Sequence, residues 1–195
     1  MSRYSILGKL KLSIFVIRTK FVFKNARLIR FPFDIRGREF VQVAKGFTTG
    51  FGCRIEACPK SPNIALSIGE NFQMNDYVHI TAMESVVIGN NVLLASKVYI
   101  SDCSHGSYSG DESDSNPNSI PKDREMFSKP ITIEDNVWIG EFVSILPGVS
   151  IGKGTIVGAN SVVSRSLPAN VIAVGTPAKA IKKFNFDTNH WERII

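Results

Sequence analysis

An aliphatic residue returns at every sixth position through the second half of this chain: Ile133, Ile139, Ile145, Ile151, Val157 and Val163. Four residues after each stands Val137, Val143, Val149, Thr155, Ser161 or Leu167, most of them small or β-branched. The same phase runs upstream through Ile88, Leu94 and Ile100, with Val92, Val98 and Ser104 four later. Further back, Ile68, Met74 and Ile80 keep the step before a two-residue slip. A six-residue period fits neither the 3.6 of an α-helix nor the 2.0 of a long flat strand. It fits short strands joined by tight corners, with one side chain of each hexapeptide pointing inward. Three such strands close a triangular coil of roughly 18 residues, and coils stack at about the 4.8 Å spacing of paired strands. Such stacking predicts Ile133 against Ile151, Ile139 against Val157 and Ile145 against Val163, three aliphatic ladders around one core. A β-sandwich with coincidental spacing is the alternative.

Gly140, Gly152 and Gly158 directly follow the aliphatic position, and Asn90, Asn91, Asp135 and Asn136 fall where a coil must turn. One break interrupts the rhythm, at Gly106–Pro130, rich in Ser, Asp, Asn and Pro. A run this long inside a repeat protein is usually functional or disordered. Excising it lets Ile133 follow Ile100 as the next face, so the loop is expected to leave a single corner and wall a binding site. The expected organisation is a basic segment with imperfect coils over 1–60 and a coiled domain over 61–183, with loop 106–130 protruding. A short helix or cap over 184–195 would cover the last coil.

Charge is concentrated at one end. Residues 1–45 hold 11 Lys and Arg against 2 Asp and Glu, a net +9, whereas the other 150 hold 12 against 15. No basic face with interleaved aromatics recurs later, which speaks against nucleic-acid binding. Residues 1–25 read as an amphipathic helix with Leu10, Ile14, Ile17 and Phe21 at helical spacing. That stripe packs on the protein's own body or meets a membrane surface. Lysines and arginines interrupt it, so no run reaches the roughly 18 apolar residues of a span, and no signal-peptide cleavage site is evident. Cys53, Cys58 and Cys103 are odd in number and lack a CxxC spacing, pointing to a reducing compartment rather than to a disulfide framework or a zinc site.

The chain has only three histidines, and that scarcity narrows the chemistry. His190 lies in the tail, His79 ends the Met74 hexapeptide, and His105 ends the Ile100 hexapeptide at the corner where the long loop leaves. Histidine is suited to removing a hydroxyl proton near neutral pH. At a corner His105 can face solvent or a neighbouring subunit, with Asp102 or Glu125 as the carboxylate that orients its ring. Three His ligands gathered around a metal are not available at these spacings, so no metal is expected.

The stretch from Glu125 to Gly140, the continuation Ile145-Leu146-Pro147-Gly148-Val149-Ser150-Ile151-Gly152 and the closing Val174-Gly175-Thr176-Pro177-Ala178-Lys179 resemble the hexapeptide-repeat O-acetyltransferases. That family includes the galactoside and maltose acetyltransferases and the lipopolysaccharide and capsule acetyltransferases. The resemblance covers roughly residues 62–183. Arg27-Leu28-Ile29-Arg30-Phe31-Pro32-Phe33 and Gly46-Phe47-Thr48-Thr49-Gly50 are similar to the surface-polysaccharide branch. It implies a left-handed parallel β-helix that assembles as a homotrimer in the cytoplasm. The implied reaction moves acetyl from acetyl-CoA to a saccharide hydroxyl by direct transfer. Residue by residue, it places the catalytic histidine on His105, the acceptor-binding asparagine on Asn75 and the active-site tryptophan on Trp138; Asp102 and Glu125, near His105 in sequence, are the further candidates for the acceptor site. Coenzyme A contacts fall on Ala159, Ser164, Arg165, Lys179 and Lys182. Lys179 and Lys182 stand where sugar acetyltransferases often have arginine, and the extra histidines that galactoside enzymes carry after the catalytic one are missing. These departures bear on the acceptor more than on the reaction. N-acetylation of an amino-sugar nucleotide or aminated small molecule is the second reading. A non-catalytic solenoid is the third, and it would show a flat Thr-rich face and no phosphate-binding end.

Overall fold

A computed structural model describes residues 5–194; Met1–Tyr4 of the basic segment and Ile195 at the end of the cap lie outside the described residues. The hexads build a three-sided prism, a left-handed parallel β-helix, wound in six coils. Its first face stacks Phe33–Arg36, Cys53–Ala57, His79–Ala82, Tyr99–Ser101, Ser144–Ile145 and Val162–Val163. The second stacks Val41–Val43, Leu66–Ile68, Val86–Ile88, Ile131–Ile133 and Ser150–Ile151. The third stacks Thr48–Thr49, Gln73–Met74, Leu93–Leu94, Trp138–Ile139, Ile156–Val157 and Val171–Gly175. All these pairs are parallel, and Ile133↔Ile151, Ile139↔Val157 and Ile145↔Val163 are in register, as the hexad predicts. Each ladder side chain is fully buried, contributing roughly 2 kcal/mol of apolar transfer.

A strand two or three residues long turns only one or two side chains inward, so corners set the geometry. The edge between the second and third faces is lined by Asn71, Asn91, Asn136 and Asn170, all with positive φ. Asparagine tolerates that conformation and satisfies itself by laddering: Asn71 Nδ2 donates to Asn91 Oδ1 and Asn91 Nδ2 to Asn136 Oδ1, each at 3.2 Å.

The winding starts upstream of residue 61, with Phe33–Arg36 paired to Cys53–Ala57 and Leu28 bridged to Thr48. Before it, helix α1 (Ile6–Val22) packs on the first coil through Phe15, whose ring lies 5.7 Å from Phe31 and 5.9 Å from Phe51. At the other end, where a short helix or cap is expected, the described residues form strands. Ala178–Asn185 turns back antiparallel on Val171–Gly175, and His190–Arg193 pairs with it in turn. The alternating burial along Ala178–Asn185 has a strand's period of two, and the third face offers it an open edge.

Candidate active site

The long insertion leaves the prism at the first/second edge of the fourth coil. Its ends pair antiparallel, Cys103–His105 against Met126–Ser128, which lifts His105 clear of the core opposite Met126. Gly106 follows at φ 100°, where a Cβ would sit 2.5 Å from Ser115 Oγ and 2.8 Å from Tyr108 Oη, so only glycine lets the loop close here. The tip is tied down by Arg124, which donates to Ser119 Oγ (2.9 Å), Ser119 O (2.9 Å) and Tyr108 Oη (2.7 Å). Tyr108 in turn donates to His105 O at 2.6 Å. An arginine clamp and a tyrosine thus hold the histidine backbone, while the imidazole stays exposed with no hydrogen-bond partner among the described residues.

His105 opens onto a groove of about 510 Å³ lined by Glu56, Thr81, Tyr99, Ser101, Cys103, Met126 and Leu146, among others. Two columns of side chains stack on this face, Arg54, His79 and Tyr99 in one register and Glu56, Thr81 and Ser101 in the next; the second column and Tyr99 line the groove. Glu56 is the node. Its carboxylate accepts from Arg36, lies 3.2 Å from Arg54 and 2.9 Å from His79 Nε2, and keeps only 17% of its side chain exposed. The Tyr99 ring stands 5.4 Å from that of His79. Cys103 stands two residues before His105, but burial raises its thiol above the ordinary value. It stays protonated at neutral pH, which argues against an acyl-cysteine intermediate.

Asp102, expected beside the acceptor or the His105 ring, has its carboxylate bonded to the backbone instead. Its side chain is fully buried, and its carboxylate accepts from the backbone N–H groups of Met83 (2.8 Å), Glu84 (2.7 Å) and Ser85 (2.9 Å). A short acid beside a tight corner is captured by that corner's unpaired amides before it can reach a neighbouring ring. Glu125 is at the opposite extreme, 92% exposed on the loop and 4.0 Å from Lys60, with no contact to the imidazole. Neither carboxylate orients the ring.

The remaining expected positions separate into two groups. Ser164 and Arg165 lie on the same edge as His105, two coils further on, a distance of roughly 10 Å along the stack. Asn75 and Ala159 lie on the edge between the third and first faces. Trp138, half exposed, lies on the third face itself, and Lys179 and Lys182 on the strand that extends it. A single prism does not bring Asn75 or Trp138 to His105. Hexad counting also passes over Glu56, Thr81 and Tyr99. Their signal was the polar or aromatic residues flanking Ile55, Ile80 and Ile100, but these isoleucines stand 25 and 20 residues apart rather than 18.

Such a prism, with a histidine on a loop leaving one corner, defines a class, and the sequence comparisons identify it: the chain belongs to the hexapeptide-repeat acyltransferase family. A family model described as bacterial transferase hexapeptide (six repeats) matches residues 130–165. A protein of Escherichia coli K12 named as a lipopolysaccharide biosynthesis O-acetyl transferase, WbbJ, is 43% identical over 191 residues, covering 98% of this chain and 96% of its own. The galactoside O-acetyltransferase of the same organism is 39% identical over 126 residues, 65% of this chain and 58% of that one. Among solved structures, galactoside acetyltransferase in complex with coenzyme A superposes with a TM-score of 0.56 at 28% identity, covering 95% of this chain and 82% of that one. A single-site mutant of AntD, an N-acyltransferase from Bacillus cereus, superposes with a TM-score of 0.69 over 96% of this chain and 94% of its own. At 19% identity it shares the fold.

Proposed function

We propose that this chain transfers an acetyl group from acetyl-CoA to a hydroxyl of a saccharide used in building surface polysaccharide, in the cytoplasm, with His105 as general base. The observation that carries the reading is an imidazole with no hydrogen-bond partner among the described residues, held by its backbone at the rim of a groove lined in part by Glu56, Thr81 and Tyr99, in a chain 43% identical over nearly its full length to a protein of that name. His105 takes the hydroxyl proton as the oxygen attacks the thioester carbonyl. Backbone N–H groups at the corner meet the developing oxyanion. The protonated ring then gives its proton to the departing thiolate of coenzyme A, so no covalent enzyme intermediate is required.

The separation of Asn75, Trp138 and Ala159 from His105 within one prism supports a site completed by a neighbouring copy, and hence a homotrimer with three such clefts. In that arrangement Ser164, Arg165, Lys179 and Lys182 hold coenzyme A phosphates, with Ala159 against its chain. Lysine meets a phosphate as a point charge rather than by the fork of arginine. Asn75 and Trp138 come to the acceptor from the partner's side. On the His105 side the acceptor ring lies against Tyr99, with hydroxyls donating to Glu56 and, at the loop wall, to Glu125.

Incubating candidate glycans with acetyl-CoA and following their mass tests the reaction: a gain of about 42 Da that mild base removes is an ester. A base-stable gain would replace this reading by N-acetylation. For the acceptor wall, Glu56→Gln removes a charge-assisted acceptor from the groove. Acceptor KM is expected to rise about tenfold with kcat within threefold, roughly 1.4 kcal/mol. An unchanged KM would remove Glu56 from the wall.

A further inference from the structure

Helix α1 is apolar on two opposite faces, and only one of them is used by the rest of the protein. Its inner face is bolted to the first coil. Phe15 and Thr19 are buried, and the Thr19 hydroxyl donates to Phe15 O at 2.6 Å while accepting from Ile29 N at 2.8 Å. With that face fixed, the other must point outward. Ile6, Leu7, Leu10, Ile14, Ile17 and Phe21, recurring at three- and four-residue steps, are between 48 and 87% exposed. The stripe that sequence periodicity picks out is therefore the one the protein's own body leaves uncovered.

Cations run along both margins of this stripe. At 100° per residue Lys9 and Lys20 fall on one side of it, Lys11 and Arg18 on the other. The helix contains no Asp or Glu, and none of these four is ion-paired among the described residues. Three of them rest their charged heads at the rim: the Arg18 guanidinium lies over the Phe31 ring at 3.9 Å, Lys11 Nζ stands 5.4 Å from the Phe51 ring, and Lys20 Nζ donates to Ala26 O at 2.7 Å.

We propose that this face of α1 lies in the plane of an anionic lipid bilayer surface, its apolar stripe at the acyl boundary and its lysines and arginine among the headgroups. Charge decides between the two occupants an apolar stripe can have. A facing α1 from a second copy would set cation margin against cation margin with no acid to pair them. An anionic surface matches both margins at once. The helix is about 25 Å long, and no described helix is long and apolar enough to cross a membrane, so α1 lies on the surface. Beyond residue 45 the chain is net negative, which turns the remainder away from such a surface and fixes which end approaches. On the acetyl-transfer reading, the His105 groove then opens three coil steps from the first-coil strand, roughly 14 Å along the stack, within reach of a saccharide carried on a membrane lipid.

Co-sedimentation of the full chain with vesicles tests the contact without substrate or turnover, so its failure leaves the acetyl-transfer reading standing. On phosphatidylethanolamine vesicles containing about one third phosphatidylglycerol, the protein is expected to bind at least tenfold more tightly than on pure phosphatidylcholine. Binding is expected to weaken as salt is raised. The triple variant Leu10→Gln, Ile14→Gln, Ile17→Gln alters only exposed positions. It is expected to lose at least tenfold in vesicle partition with its thermal unfolding and sedimentation coefficient unchanged. A second variant, Lys9→Gln with Lys11→Gln, is expected to reduce binding on anionic vesicles alone. Absence of wild-type binding, full binding by the triple variant, or its dissociation into smaller species, which would make the stripe a contact between copies, would each overturn the proposal.

Discussion

Replacing His105 by alanine is expected to lower acetyl transfer roughly 10²- to 10⁴-fold, the range removed with a general base, while the protein stays folded. The fold is insulated from this side chain because the imidazole contributes no described hydrogen bond and stands exposed beyond the core. What holds the loop is the backbone carbonyl of His105, bound by Tyr108, together with the Arg124 clamp, and both survive the substitution. Transfer rate, thermal unfolding and coenzyme A affinity measured on one preparation separate the possibilities. A folded His105→Ala protein that transfers acetyl at the wild-type rate would sink the assignment of the base. Since Cys103 is held protonated and carries no role in the scheme, Cys103→Ser is expected to keep transfer within a few-fold in the same assay.

The second large effect is on stability. Asp102→Ala strips three backbone N–H groups of their acceptor in a place where the side chain is fully buried. Each unsatisfied donor costs about 1–3 kcal/mol, partly recovered by entering water, so a loss of about 3–5 kcal/mol in urea unfolding is expected. Asp102→Asn keeps one oxygen and should recover part of that loss. The backbone of Asp102 also accepts from Lys129 N at 2.8 Å, where the loop returns to the prism. Destabilisation should therefore loosen the loop and show as faster proteolysis between Gly106 and Pro130. If Asp102→Ala instead melts like the wild type and changes only acceptor KM, the residue is an acceptor contact and its placement as a corner brace is wrong.

The prism itself could be read from residues alone, because a six-residue period fits neither an α-helix nor a long flat strand and returns an inward side chain on every face. The three ladder pairs among Ile133–Val163 follow by counting 18, and the loop had to leave one corner because excising it preserves the phase. Carboxylates were not readable in this way. Asp102 and Glu125 stand near His105 in sequence, yet one is buried beneath amides from an adjacent coil and the other points into solvent from the loop. The groove floor was hidden for a related reason. The first coils advance by 25 and 20 residues, so Glu56, Thr81 and Ser101 meet only once the chain has closed.

Local patterning thus determined the winding, the corner residues and the place where the chain departs from the prism, since all three depend on interactions within a few residues. Which outward side chains become neighbours, which carboxylate is consumed by the backbone, and which of two apolar helix faces is left bare depend on contacts between elements distant in the chain. From Arg54 to Ser144 along the first face those contacts join residues 20 to 45 positions apart at irregular intervals, and no period encodes them.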